Sequence, residues 1–123
     1  MRRRNPTEPM RRELQRAARG HETVTYGRLM KNHRLSRGRK LTLAIAEVDR
    51  AEYEKGAPGF AAIIVRKDTG YPGGGYFCDD ELPAHIRRPP DRNTDPKLSA
   101  AEREHIRRQQ DRIWTYYSES VRA

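Results

Sequence analysis

Apolar positions recur with helical spacing in four stretches of the chain and run together in a fifth. Met10, Leu14, Ala17 and Ala18 share one face of a predicted first helix, which Thr7 can cap, Pro9 can open and Gly20 can end after Arg19. His21 to Thr25 is short and extended. Thr25 then stands as N-cap of a second helix, Tyr26 to about Asn32, with Leu29 and Met30 turned inward. Leu41, Ala44, Ile45 and Val48 fall at i, i+3, i+4 and i+7, the stripe of an amphipathic third helix that Gly56 and Pro58 stop near Lys55. Gly38, in the turn before it, supplies the backbone freedom a tight turn requires.

The run Phe60–Val65 (FAAIIV) breaks this period. It is too short for a helix and β-branched toward its end, so it predicts a buried strand. Lys67 to Gly75 holds four of the nine glycines and Pro72, which predicts a hairpin tip, with Gly75 to Cys78 returning as the partner strand. From Asp79 to Pro96, Pro, Asp and Arg replace apolar residues. Ser99 followed by Glu102 is a capping box, and it opens a long C-terminal helix on which Ile106, Ile113, Trp114, Tyr117 and Val121 share a face. The whole predicts an α+β chain: a winged-helix-like three-helix core, a small β-hairpin wing and a long C-terminal helix. Its expected divisions are a basic arm at 1–6, the winged-helix-like domain at 7–78, a Pro-rich linker at 79–96 and the amphipathic helix at 97–120.

Charge changes the picture more than composition does. Hydrophobic residues make up 34% and charged residues 35% of 123, which limits the chain to one small domain. The net charge of +9 is concentrated at one end. Residues 1–40 hold 13 Lys/Arg against 3 Asp/Glu, and residues 41–123 hold 13 against 14. A single-sign field over one third of a chain points to a polyanionic partner, with double-stranded DNA first. No long apolar run predicts a membrane span, and MRRRNPTEPMRR lacks the apolar stretch of a secretory signal. One cysteine, Cys78, excludes an internal disulfide and fits a reducing, cytoplasmic setting.

Catalytic and metal signatures are weak beside this. His21, His33, His85 and His105 have no paired spacing, and one cysteine cannot build a zinc finger. Asp79, Asp80 and Glu81 read as a solvated acidic turn rather than a Mg²⁺ site. Asp49, Glu52, Glu54 and Lys55 fall on a predicted helix, not on the strand a nuclease set needs. Gly70 to Gly75 lacks the Gly-Lys-Ser/Thr of a phosphate loop. No cofactor, metal or enzymatic activity is therefore expected. The candidate DNA contacts are Arg34, Arg37, Arg39 and Lys40 at the start of the third helix, with Arg66 and Lys67 on the wing. Arginine forks fit phosphate oxygens and guanine edges, and a helix N-terminus adds positive field.

The ordered set HETVTYGRLM, SRGRKLTLAI and PGFAAIIV followed by GYPGGGY resembles the DNA-binding domain of alkylguanine-DNA alkyltransferases and alkyltransferase-like proteins. The similarity covers a little under half of the chain. It implies that Thr25 and Tyr26 open a helix at the DNA backbone, where Tyr26 matches the tyrosine beside a flipped nucleotide. It also implies that Arg39 matches the family's arginine finger, with Leu41, Ala44 and Ile45 in the apolar slots and Thr42 in place of a glycine. The alkyl-accepting P-C-H-R motif is absent, since Gly59-Phe60-Ala61-Ala62 occupies that region. An alkyl transfer needs an activated thiolate beside a base, and Cys78 lies next to acidic residues instead.

The expectation is a non-catalytic double-stranded DNA-binding protein, of a kind suited to a phage, a mobile element or a small bacterial regulator. Two alternatives stand beside it. One is a base-flipping sensor of modified DNA. The other is an interaction module, a homodimer or a binder of a host protein through Ile106, Ile113, Trp114 and Tyr117, with no DNA role.

Overall fold

The computed structural model describes residues 7–36, 38–78, 82–89 and 97–120. The basic arm at 1–6, Arg37, and Asp79, Asp80 and Glu81 lie outside the described residues. The chain runs α1 (Glu8–Arg19), β1 (Val24–Thr25), α2 (Tyr26–His33), α3 (Arg39–Glu54), β2 (Ile64–Val65) and α4 (Ala100–Ser120), with 3-10 turns at Ala61–Ile63, Gly74–Cys78 and Ala84–Ile86. The result is a helix-rich α+β chain with one small sheet and a long C-terminal helix.

α1 buries the stripe its sequence announces: Met10, Leu14, Ala17 and Ala18. It ends after Arg19 at Gly20 as predicted, and differs from expectation at its start. Thr7 is buried with near-helical angles and its side chain does not cap the helix, so the start relies on Pro9, which has no N–H to satisfy, and on Glu8 facing the positive end. At the other end Gly20 keeps a negative φ, and His21 takes the left-handed conformation at φ 55°. Contacts offset that cost: the His21 ring stacks on Trp114 at 5.8 Å and its Nε2 lies 2.9 Å from Ser118 Oγ. α2 begins as predicted, with Thr25 Oγ accepting the Arg28 N–H at 3.1 Å.

The sheet is not the predicted hairpin. β1 and β2 pair in parallel, Val24 with Ile64 and Thr25 with Val65, and α2 and α3 form the crossover a parallel pair requires. Only the last two residues of FAAIIV are strand, because Ala61–Ile63 coil into a 3-10 turn. The chain does reverse after β2, where the Gly70 N–H meets the Arg66 carbonyl and the Arg66 N–H meets the Tyr71 carbonyl. The returning Gly74–Cys78 is 3-10, not a strand. Pro72 offers no N–H, glycine disfavours strands, and the Gly73 N–H is taken by the Tyr26 hydroxyl.

α4 packs across α1 and the Ala61–Ile63 turn. Ile106, Ile113 and Tyr117 are buried, Tyr117 stacks on Phe60 at 4.9 Å, and the half-buried Trp114 donates its Nε1–H to the Glu22 carbonyl at 3.0 Å. The face offered above as a docking candidate is thus occupied by the chain's own core, because an aromatic stripe this wide finds its cover on α1 and Phe60. The capping box forms reciprocally: Glu102 N–H to Ser99 Oγ at 3.1 Å, and Ser99 N–H to Glu102 Oε1 at 2.8 Å. Arg88 clamps the same glutamate with Nε at 2.6 Å and Nη2 at 2.9 Å, and its guanidinium lies 5.2 Å over the Phe77 ring.

Glu52, 2% exposed, ties three helices together. It accepts from Arg11 of α1 and from Gln15 at 3.0 Å, and the Tyr117 hydroxyl lies 2.9 Å from it and 2.8 Å from the Pro58 carbonyl. Burial, and then the Glu52 carboxylate, push the Tyr117 hydroxyl pKa up, so it stays a donor. Among the described residues no helix is long and apolar enough to cross a membrane.

Candidate nucleic-acid interface

The parallel register has a direct consequence for the candidate site. Because Thr25 pairs with Val65, the residues that follow each of them, Tyr26 and Arg66, leave the sheet at the same end. A cavity of about 590 Å³ opens there, with Thr25, Tyr26, Arg66 and Lys67 around it and Met30, Leu41 and Val65 beneath. Four of the eight predicted contact residues, far apart in sequence, are brought together this way.

Each has a distinct state. Thr25 is committed to capping α2. The Tyr26 hydroxyl accepts the Gly73 N–H at 3.0 Å, which fixes the glycine loop to α2 and leaves the O–H to donate. Burial raises its pKa, against the lowering effects of the Gly73 N–H and Arg66. Arg66 forks onto Asp68, with Nε at 3.0 Å and Nη2 at 2.7 Å, so part of its charge is compensated locally. Arg66 in turn holds the exposed Asp68 carboxyl below its ordinary range. Lys67 is exposed at the rim.

The start of α3 stands beside this opening through Leu41. Its N-cap is Gly38 at φ 95°, ψ −132°, angles that glycine tolerates and other residues do not. Among the described residues no side chain caps the helix, and no acidic residue lies in its first turn, where Arg39 and exposed Lys40 stand instead. Arg34 does not line the Thr25–Lys67 opening. It is exposed at the opposite end of α2, about 12 Å along its axis, in the left-handed conformation at φ 54°. Arg37 lies outside the described residues.

A second cavity, of about 370 Å³, lies on the other side of Tyr26 and Leu41 and is more apolar, with Thr42, Ile45, Ala61, Ile64 and Tyr76 in its wall. The residues in the place of P-C-H-R are structural here. Phe60 is fully buried, and its N–H donates to Asp49 Oδ1 at 2.7 Å. The Asp49 carboxylate also receives the Ala61 N–H and lies 2.5 Å from where a Cβ on Gly59 would sit, so glycine is required at 59. Burial pushes the Asp49 carboxyl up to about 6 against those two N–H groups. Asp49 and Glu52 are therefore both engaged in holding the fold. Cys78 is half-buried, with its S–H toward the Pro89 carbonyl at 3.9 Å.

The outer face of α3 was missed from sequence. Thr42, Leu43, Ala46, Glu47 and Arg50 are exposed, Leu43 at 55%. The signal was present in the off-stripe positions of the third helix, which a search for basic clusters passes over. No family model matches the chain, and comparison with curated proteins and with solved structures yields no match.

Proposed function

We propose that this chain is a non-catalytic double-stranded DNA-binding protein, with a winged-helix-like use of its elements despite the missing hairpin. In this reading α3 enters the major groove, Lys67 and the N-terminus of α2 hold the phosphate backbone, and the exposed α3 positions Leu43, Glu47 and Arg50 face base edges. The observation that carries it is the start of α3, where cations, an uncapped N-terminus and a positive-φ glycine coincide beside the Thr25–Lys67 opening. Cations at a helix N-terminus work against the macrodipole, so this arrangement is explained by an anionic partner rather than by the helix's own stability. The resemblance to alkyltransferase DNA-binding domains supports the same reading. The absence of a thiol and base at Phe60 and Ala61 supports binding without alkyl transfer.

The apolar cavity behind Tyr26 favours a second reading, a sensor that extrudes a modified base into it. Its volume lies within the range of about 300–1,000 Å³ common for small-molecule pockets. Extrusion costs least at mismatched or damaged pairs. Binding to plain, mismatched and alkylated duplexes of one sequence separates the two. Equal affinities support simple duplex binding, and a clear preference for the altered duplexes supports the sensor. Arg39→Ala is expected to weaken binding by about 1–3 kcal/mol if that arginine reads a base.

A further inference from the structure

A cleft of about 350 Å³ between α1 and α2 is lined by Pro9, Arg12, Glu13, Arg16, Arg28 and Asn32. Arg12 and Arg16 stand one turn apart on α1, and both are exposed. Among the described residues neither forms an ion pair. The one carboxylate in the lining is already saturated from α2: Glu13, 12% exposed, receives Arg28 Nε at 2.9 Å, Asn32 Nδ2 at 3.1 Å and His33 Nε2 at 2.7 Å. Two like charges on one helix face repel, and here the one acid of the lining is locked in the helix–helix joint. The cleft is thus a concave site in which, among the described residues, Arg12 and Arg16 have no ion-pair partner, while Arg28 of α2 is paired with Glu13.

We propose that this cleft is a second phosphate-binding surface, which takes the sugar-phosphate backbone of the same duplex beyond the contact at α3. It rests on the DNA-binding reading above and extends it to a different face. Continuity favours it: Arg28 is the third residue of α2, its N–H is bonded to Thr25, and Tyr26 and Gly27 line the opening beside Lys67. Exposed Lys31 continues the row one turn on. Planar guanidinium forks match phosphodiester oxygens, and no aromatic side chain lines the cleft to stack a base, so it suits backbone rather than base recognition. The absence of large apolar side chains from the lining disfavours an anionic membrane as occupant. The surface also accounts for the charge balance of residues 1–40, where the start of α3 uses only some of the 13 cations.

The test is the salt dependence of duplex binding by the full chain carrying Arg12→Gln and Arg16→Gln. Both are exposed and, among the described residues, without an ion pair, so an unchanged melting temperature is expected and serves as the folding control. On a duplex of about 20 base pairs, two helical turns, affinity should fall alike for all sequences and the slope of log K against log salt should shrink by about 1.8, at about 0.9 per phosphate lost. An unchanged slope overturns the proposal while leaving the α3 contact standing. If the slope shrinks here but Lys40→Ala and Lys67→Ala change nothing, the cleft stands and the α3 reading fails. If the unmodified chain shows no salt-sensitive duplex affinity, both fail.

Discussion

The starts of α3 and α4 are built on opposite rules. α4 opens on a complete capping box, with Glu102 in its first turn and Arg88 clamping that glutamate from outside. α3 opens on a glycine that caps nothing, and puts Arg39 and Lys40 where an acid would help. Each misplaced charge forgoes about 0.3–1 kcal/mol of favourable dipole interaction. α3 persists because Leu41 and Val48 are buried in the core and Glu52 is bonded from α1 and α4. One helix start is made for stability, and the other is held by its neighbours and left attractive to anions.

The largest expected effect comes from breaking the α4 start. Glu102→Ala leaves the Arg88 guanidinium, 11% exposed, without its carboxylate and removes half of the cap. A loss of about 3 kcal/mol is expected, read by urea unfolding, with duplex affinity unchanged where the protein remains folded. A drop in affinity beyond that explained by unfolding removes the distinction between the two starts.

Next is a difference in pH response between two carboxylates. The Asp49 pKa is raised in the folded chain, from 3.8 to about 6, chiefly by burial. The folded state therefore binds this proton more tightly than the unfolded state. The Asp49 contribution is fully present below about pH 4 and is lost as pH rises through about 6. Asp49→Asn should remove this contribution, on the order of 2 kcal/mol across that window, while the amide oxygen still accepts the Phe60 N–H. Glu102 has the opposite sign. Burial raises its pKa, but the Arg88 and Ser99 hydrogen bonds outweigh that and hold it low. Its contribution is present above 4.5 and is lost as pH falls through the lowered folded value. Unfolding midpoints taken from pH 3.5 to 7 for both single variants separate the two windows.

The smallest effect sharpens the comparison most. Lys40→Glu should stabilise the fold by about 0.3–1 kcal/mol, because an acid then faces the α3 N-terminus, and should weaken duplex binding. Thermal unfolding and a binding titration on one sample give both signs. Stability lost together with affinity means Lys40 is a structural residue.

The helical frame was legible because α1, α3 and α4 bury stripes at regular spacing, and the Thr25 and Ser99 caps are local signals that formed where read. The parallel pairing of Val24–Thr25 with Ile64–Val65 was not, since two-residue strands leave no period and their partners are 40 residues apart. The Gly74–Cys78 turn escaped because its deciding bond, from the Gly73 N–H to Tyr26, comes from a distant helix. The sequence places Asp49 and Glu52 on a helix and sets aside a nuclease role for them, and only packing reveals the N–H and O–H groups they serve. Of the candidate site, residue types were legible, but the grouping of Thr25 and Tyr26 with Arg66 and Lys67 follows from the sheet register.

The central claim is that the α3 start and the Thr25–Lys67 opening grip duplex DNA. The most direct measurement is duplex affinity against salt for the unmodified chain and for one carrying Arg39→Ala, Lys40→Ala and Lys67→Ala. The account predicts a steep fall with salt in the unmodified chain and a slope smaller by about 2–3 in the variant. Affinity that is flat with salt, or a slope the variant leaves unchanged, contradicts it.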